Sequence, residues 1–385
     1  MRVALLAWES MHSILVGGGG VHVTELAAAL ERKGHEVHVF TRMNAGQPHY
    51  ERIHGVHYHR CGFQLNRDFI EEINNMGRSF VHAVFQTEDF CGPFDIVHAH
   101  DWLTGNALIW IKQGRGRKTV LTVHSTEYGR SGNRFLDGQS RRVRDVERAV
   151  TYWADRIITV SHALKGEIMW MYETPEWKIS IIYNGVNVHD WDGWVDPGAV
   201  KSRYGIGPMD PTILFVGRVV YQKGPDVLVE AIPAIMRYYP STKFIFAGDG
   251  DMRGSLAHRV HQLGVGHATR FLGFKGLGEL GDLYKASDAV CVPSRNEPFG
   301  IIVLEAWAAG KPVVVTKNGG PDEFVWHNVN GLKIYPTPDS VAWGIGTLFT
   351  NFEWARWMGR NGRVAAESAF SWDAVAGHVA RVYTQ

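Results

Sequence analysis

The stretch Arg295-Asn296-Glu297-Pro298-Phe299-Gly300-Ile301-Ile302-Val303-Leu304-Glu305 carries two glutamates with seven residues between them. It follows the apolar run Ala289–Val292, which reads as a strand ending at Pro293. Pro298 and Gly300 shape a tight turn, and a helix then runs through Leu304 and Ala308 to stop at Gly310. A helix that starts at the carboxyl end of a strand leaves several backbone N–H groups unpaired, which makes an anion site. Glu305 falls about a turn and a half into that helix, within reach of a ribose hydroxyl, and Glu297 in the turn can face a sugar. A glutamate in an otherwise apolar helix needs a partner or a ligand.

Arg218 and Lys223 stand just after another apolar run, Thr212–Val216, in Val-Gly-Arg-Val-Val-Tyr-Gln-Lys-Gly. A guanidinium fork and an ammonium point charge at a strand's carboxyl end can clamp a diphosphate. A departing nucleotide diphosphate gains negative charge in the transition state, so fixed cations there speed its departure.

Other polar groups are less specific. Gly17–Gly20 precedes a helix and allows close backbone approach, but no G-x-x-x-x-G-K-[ST] follows and P-loop chemistry is excluded. The second strand runs from Val-His-Val-Phe into Thr41-Arg42, without the acidic residue a dinucleotide fold places on ribose. His98, His100 and Asp101 follow one strand and His124 another. No carboxylate or cysteine cluster completes a coordination set, so these read as hydrogen-bonding groups lining a sugar pocket, with no metal. Asp249-Gly250-Asp251 reads as a turn.

The elements that position these residues repeat. Val3–Trp8 is apolar, the glycines follow, and a helical stretch with Val23, Leu26, Ala27 and Leu30 on one face leads to a second apolar run at Val37–Phe40. From Thr212 the order recurs: strand, Gly217, a loop ending at Lys223-Gly224, a helix through Val227, Leu228, Ala231, Ile232 and Ile235, and the run Lys243–Ala247. Short continuous apolar runs alternating with amphipathic helices imply parallel strands covered on both faces. Further strands are expected at 95–98, 120–123, 157–160, 179–182, 269–272, 289–292 and 312–316. Pro233 inside the second helix predicts a kink. Segment 188–210 mixes Asp, Gly, Pro and Trp without period and reads as the break between domains.

Composition bounds the answer. A length of 385 residues suggests two or three domains at roughly 150 each. Lys and Arg total 40 against 39 Asp and Glu, so a net charge of +1 gives no footprint for nucleic acid. Three scattered cysteines (Cys61, Cys91, Cys291) fit a reducing compartment. No 18-residue apolar stretch occurs and the short N-terminal run is no signal segment, so a cytoplasmic protein is expected. Arg141, Arg142, Arg144 and Arg148 could meet an anionic membrane, but Asp145 and Glu147 balance them and a solvated helix is the expectation.

Together these residues resemble glycosyltransferase family 4, the retaining GT-B enzymes that include glycogen, starch and sucrose-phosphate synthases. The likeness rests on Gly18-Gly19-Gly20, His100-Asp101-Trp102, Thr122-Val123-His124, Val160-Ser161, Asn184-Gly185-Val186, Gly217-Arg218, Lys223-Gly224, Ala247-Gly248-Asp249-Gly250, the Glu297/Glu305 pair, Gly319-Gly320 with Glu323, and Phe370-Ser371-Trp372. It implies two doubly wound Rossmann-like α/β domains facing across a cleft: 1–190 on the acceptor side, 205–368 on the donor side, a linker at 191–204, and a helix at about 370–385 returning to the first. It also implies a donor site of Gly18, Gly19, Gly217, Arg218, Lys223, Glu297, Phe299, Gly300, Ile301, Ile302 and Glu305. Arg218 and Lys223 would neutralise the diphosphate with backbone N–H groups of Gly19, Ile301 and Ile302; Glu305 would hold the ribose and Glu297 the sugar hydroxyls. His124 would meet the sugar near its 6-hydroxyl and Asp101 would line the acceptor side. His124, Asp101, Glu297, Arg218 and Lys223 form the catalytic set so implied.

The reaction implied moves a hexosyl, most simply glucosyl, group from an ADP- or UDP-linked donor to a carbohydrate such as an α-glucan, without cofactor or metal. A small-sugar or lipid-linked acceptor, and a non-hydrolysing sugar-nucleotide epimerase, are the alternatives. Two departures from the glycogen-synthase pattern bear on specificity: Asn187 replaces the usual aspartate of N-G-V-D, and Leu15-Val16-Gly17-Gly18 lacks the lysine of K-x-G-G-L.

Overall fold

The computed structural model describes residues 1–385, and the chain divides into two compact units, Met1–Asn184 with Trp372–Gln385, and Gly185–Ser371. The first holds β1 (Arg2–Leu6), β2 (Glu36–Arg42), β3 (Tyr50–Ile53), β4 (Val56–Cys61), β5 (Ile96–His100), β6 (Lys118–Val123), β7 (Arg156–Thr159) and β8 (Ile179–Ile181). Their order in the sheet is β3-β4-β2-β1-β5-β6-β7-β8, parallel except for the β3–β4 hairpin. The central strand β1 is apolar because both faces of the sheet are covered there: Val3, Ala4, Leu5 and Leu6 are all fully buried.

The second unit holds β9 (Thr212–Val216), β10 (Lys243–Ala247), β11 (Thr269–Gly273), β12 (Ala289–Val292), β13 (Val313–Thr316) and β14 (Leu332–Ile334), in the all-parallel order β11-β10-β9-β12-β13-β14. In both sheets the order reverses next to the first strand, between β1 and β5 and between β9 and β12. Ligands of doubly wound sheets bind outside the carboxyl ends of the strands at that reversal.

The first unit is completed by the last helix, Trp372–Tyr383. Trp372, Val375, Val379, Val382 and Tyr383 join Val3, Leu5, Val23 and Leu26 in one core, and Tyr383 Oη shares a 2.8 Å hydrogen bond with His98 Nδ1.

Three features depart from the sequence expectations. Residues 191–204 are not a bare linker: the helix Pro197–Ser202 lies there, its N-cap Asp196 accepting hydrogen bonds from Gly198 N and Ala199 N, with proline at the first position. The β3–β4 hairpin and β14 had no counterpart in the sequence reading. Pro233, where a kink is expected, lies inside the helix Pro225–Tyr238, whose Leu228, Ala231, Ile232 and Ile235 are buried on either side of it. No helix is long and apolar enough to cross a membrane.

Candidate active site

In the second unit, the loops after β9 and β12 lie at the sheet's reversal and are tied together. Arg295 N donates to Gln222 O at 2.8 Å, and the Arg295 guanidinium takes both carboxylate oxygens of Asp226 at 2.8 and 2.6 Å while lying 3.9 Å over the Tyr221 ring. This clamp brings Lys223 to Glu297. Lys223 Nζ donates to both carboxylate oxygens, at 2.8 and 2.9 Å, and Ser294 Oγ adds a third bond at 2.8 Å. Glu297 is only 4% exposed, so its charge depends on these donors.

Arg218 is exposed on the same loop, its guanidinium 3.1 Å from Gln222 Oε1. Gly217 packs on the next helix: a Cβ there would stand 3.5 Å from Ile302 Cδ1. That helix, Ile301–Ala308, begins at Gly300, which has φ +88° and gives it no side-chain cap. The first-turn N–H groups of Ile301 and Ile302 therefore start beside the cation-bearing loop, a site suited to an anion. At Gly248 the backbones crowd further, since with φ +145° a Cβ would fall 1.9 Å from Gly217 O. Only glycine lets β9 and β10 end together there.

Glu305 is half-buried on the same helix and accepts a 2.7 Å bond from Tyr284 Oη. Burial pushes its carboxyl up to about 7, against the pull of the tyrosine hydroxyl. Phe299, expected among the donor contacts, is 3% exposed and its ring packs on Phe324 at 5.1 Å. Asp249 accepts from Gly250 N and from Arg253, as a turn residue does.

In the first unit, β1 and β5 flank the reversal. After β1, the Glu9 carboxylate accepts 2.7 Å bonds from Val16 N and Gly17 N, at the start of the helix Gly18–Arg32. A Cβ on Gly19 would lie 2.8 Å from Glu9 Oε1. The glycine turn expected to meet phosphate through Gly18 and Gly19 thus already holds a carboxyl group of the chain's own, which its burial pushes up from the usual carboxylate range. Nothing in the sequence pattern singled out Glu9.

After β5, Asp101 adopts φ +58°, a strained conformation for a residue with a Cβ, and its Oδ1 accepts a 2.7 Å bond from His124 N. Asp101 therefore positions the loop that carries His124. The His124 ring is half-buried, with Nε2 3.2 Å from His100 Nδ1 and the His22 ring edge-on at 4.5 Å between centroids. Burial lowers His124 to about 4, so it is neutral at pH 7. His98 is not part of this group: it is fully hydrogen-bonded to Tyr383 and Thr122.

The arginine helix exposes Arg141, Arg142, Asp145 and Arg148, as a solvated helix does, but Glu147 is not on its solvated face. Glu147 is 5% exposed and takes Arg130 at 2.6 Å and the backbone N of Glu127, bracing the loop after His124, while Arg142 pairs with Asp68 and Arg148 bonds Met171 O.

Comparison with known proteins agrees with this architecture. Residues 16–190 match the family model for glycosyltransferase family 4, and residues 199–365 match that for glycosyl transferases group 1. A glycosyltransferase of Methanocaldococcus jannaschii is 37% identical over 395 residues, spanning 100% of this chain and 98% of its own. A glycogen synthase of Mycobacterium tuberculosis is 31% identical over 399 residues, spanning 100% and 94%. Among solved structures, the sucrose-phosphate synthase of Thermosynechococcus elongatus has a TM-score of 0.84 at 24% identity, over 100% of this chain and 98% of that one. These likenesses define a glycosyltransferase built on the GT-B fold. The chain belongs to glycosyltransferase family 4 and is related to glycogen synthase.

Proposed function

We propose that the protein is a retaining hexosyltransferase that moves a glucosyl group from a nucleoside diphosphate sugar to a carbohydrate acceptor of the α-glucan type. The observation that carries this reading is the Lys223–Glu297 pair beside the uncapped start of Ile301–Ala308, at the carboxyl ends of β9 and β12. The diphosphate binds against Arg218, Lys223 and the N–H groups of Ile301 and Ile302. Glu297, oriented by Ser294, accepts from the sugar hydroxyls, and Glu305 binds the ribose. With positive charge supplied by side chains and helix N-terminus, no divalent cation is needed to stabilise the leaving group. The relation to glycogen synthase supports glucosyl and glucan as donor group and acceptor.

In the step itself, the acceptor oxygen forms its bond to the anomeric carbon on the face from which the phosphate oxygen leaves. The acceptor proton passes to that phosphate oxygen, and the products are the lengthened saccharide and the nucleoside diphosphate. Neutral His124 contacts the sugar without adding charge to the reaction centre.

The test is a thermal-shift panel of ADP-, UDP- and GDP-linked sugars, followed by proton NMR of the product formed on a malto-oligosaccharide. A true donor at a hundred times its Kd stabilises the native state by about 2.7 kcal/mol. The account expects one nucleotide series to stabilise and the new linkage to keep the donor's α configuration. A β linkage, or conversion of the sugar nucleotide with no acceptor present, would overturn it.

A further inference from the structure

Three histidines from separate elements converge in the first unit: His22 from the helix Gly18–Arg32, His100 from the end of β5, and His124 after β6. One ring nitrogen from each lies within 4.8 Å of the others. His22 and His100 are 4% and 5% exposed. His22 Nδ1 lies 2.8 Å from Asn184 Oδ1, an oxygen that only accepts, so Nδ1 carries the proton and Nε2 presents a lone pair. That buried Nε2 has no hydrogen-bond partner, and neither does Nε2 of His100. A histidine serving only to fill a core is normally satisfied, as neighbouring His98 is on both nitrogens. The unpaired Nε2 of His22, on a ring that meets the His100 and His124 rings edge-on, needs another explanation.

We propose that His22, His100 and His124 form a binding site for a divalent transition-metal ion of the zinc class. Neutral imidazole is the ligand form, and the bond from His22 Nδ1 to Asn184 Oδ1 leaves His22 Nε2 free to act as one. Three imidazoles without carboxylate or thiolate suit zinc, cobalt, nickel or copper and do not suit magnesium or calcium. Tetrahedral zinc at about 2.0–2.1 Å from each nitrogen sets ligand nitrogens about 3.4 Å apart. The 3.2 Å between His100 Nδ1 and His124 Nε2 already fits, and the remaining separation closes by ring movements of about 1 Å. Asn184 does for His22 what an outer ligand does in a metal site, fixing the tautomer through the other ring nitrogen. The fourth position is left to water or a hydroxyl. Occupancy engages the His124 ring; because the proposed function sets that ring against the donor sugar, bound ion inhibits transfer and a chelator restores it.

The experiment uses the full untagged chain, dialysed against EDTA and then titrated with zinc chloride by calorimetry and with cobalt chloride by visible absorption. The expected result is saturation at one equivalent, with the absorption bands of low-coordinate cobalt. His22→Phe should weaken binding at least tenfold; circular dichroism checks its fold. Asn184→Ala, which keeps all three rings, should weaken binding about 10- to 100-fold, the usual effect of losing an outer ligand. No one-equivalent binding by folded wild type, or unchanged binding in Asn184→Ala, overturns the proposal. Binding is read without activity, so a protein that binds zinc but transfers no sugar contradicts the proposed function alone.

Discussion

Replacing Lys223 by alanine separates the two tasks that its ammonium performs. In the free protein it supplies two of the three hydrogen bonds to Glu297, at 2.8 and 2.9 Å, and Ser294 Oγ supplies the third. Hydrogen bonds to a charged group are worth about 1.5–3 kcal/mol, and Ser294 remains, so the variant should lose about 2 kcal/mol of stability. For a unit of this size that lowers the melting temperature by about 4–8 °C. In the transition state Lys223 faces the charge growing on the diphosphate, and losing one preorganised donor costs about 2.7–4 kcal/mol, or 10²- to 10³-fold in kcat. The double variant Lys223→Ala/Glu297→Gln removes the stranded carboxylate. It should recover most of the lost stability and none of the turnover. Thermal unfolding by circular dichroism reads the first quantity, and release of nucleoside diphosphate from saturating donor reads the second. A folded Lys223→Ala enzyme turning over within threefold of wild type would refute the reasoning.

Three further outcomes are expected. Glu305 sits at about 7 in the fold against an ordinary 4.5, so its ionised form is penalised and the wild type loses stability as pH rises through that window. Glu305→Gln carries no such penalty, and urea unfolding without nucleotide should show it gaining at most about 3 kcal/mol on the wild type between pH 4 and pH 8; a gain that shrinks with rising pH contradicts the assignment. Gly248→Ala drives a Cβ to 1.9 Å from Gly217 O and must displace the end of β9, costing about 1–3 kcal/mol or more in chemical unfolding together with a loss of turnover. Deleting residues 372–385 strips Trp372, Val375, Val379, Val382 and Tyr383 from the first core, at about 1.5–3 kcal/mol each, together comparable to the whole stability of an ordinary domain. That chain should be insoluble or unfolded, and a soluble, cooperatively melting product would show the core drawn wrongly.

What could be read from the sequence followed a physical line. Strands β9, β10 and β12 were legible to the residue because a parallel strand buried on both faces is a continuous apolar run. The β3–β4 hairpin escaped because the inward positions of β4 are Val56, Tyr58 and the charged Arg60, too few apolar residues to mark a strand, and β14 because three residues carry no period. In the second unit, Lys223 and Glu297 were legible because each lies in a short motif directly after its strand. Their clamp, Arg295 on Asp226, is a tertiary contact between two such motifs. In the first unit, neither His22, one position of the helix Gly18–Arg32, nor Glu9, in the loop after β1, lies in a motif that marks it. For Phe299, position in a motif does not say which way a ring points, and its ring enters the apolar cluster with Phe324 and Phe370.

The central claim is that the end of β9 and the end of β12 grip a nucleoside diphosphate through Lys223 and the start of Ile301–Ala308. Isothermal titration of ADP, UDP and GDP into the wild type and into Lys223→Ala tests this most directly. One nucleotide should bind the wild type at one equivalent and bind the variant at least tenfold more weakly. Equal affinity for both proteins, or no binding of any of the three to the folded wild type, would contradict it.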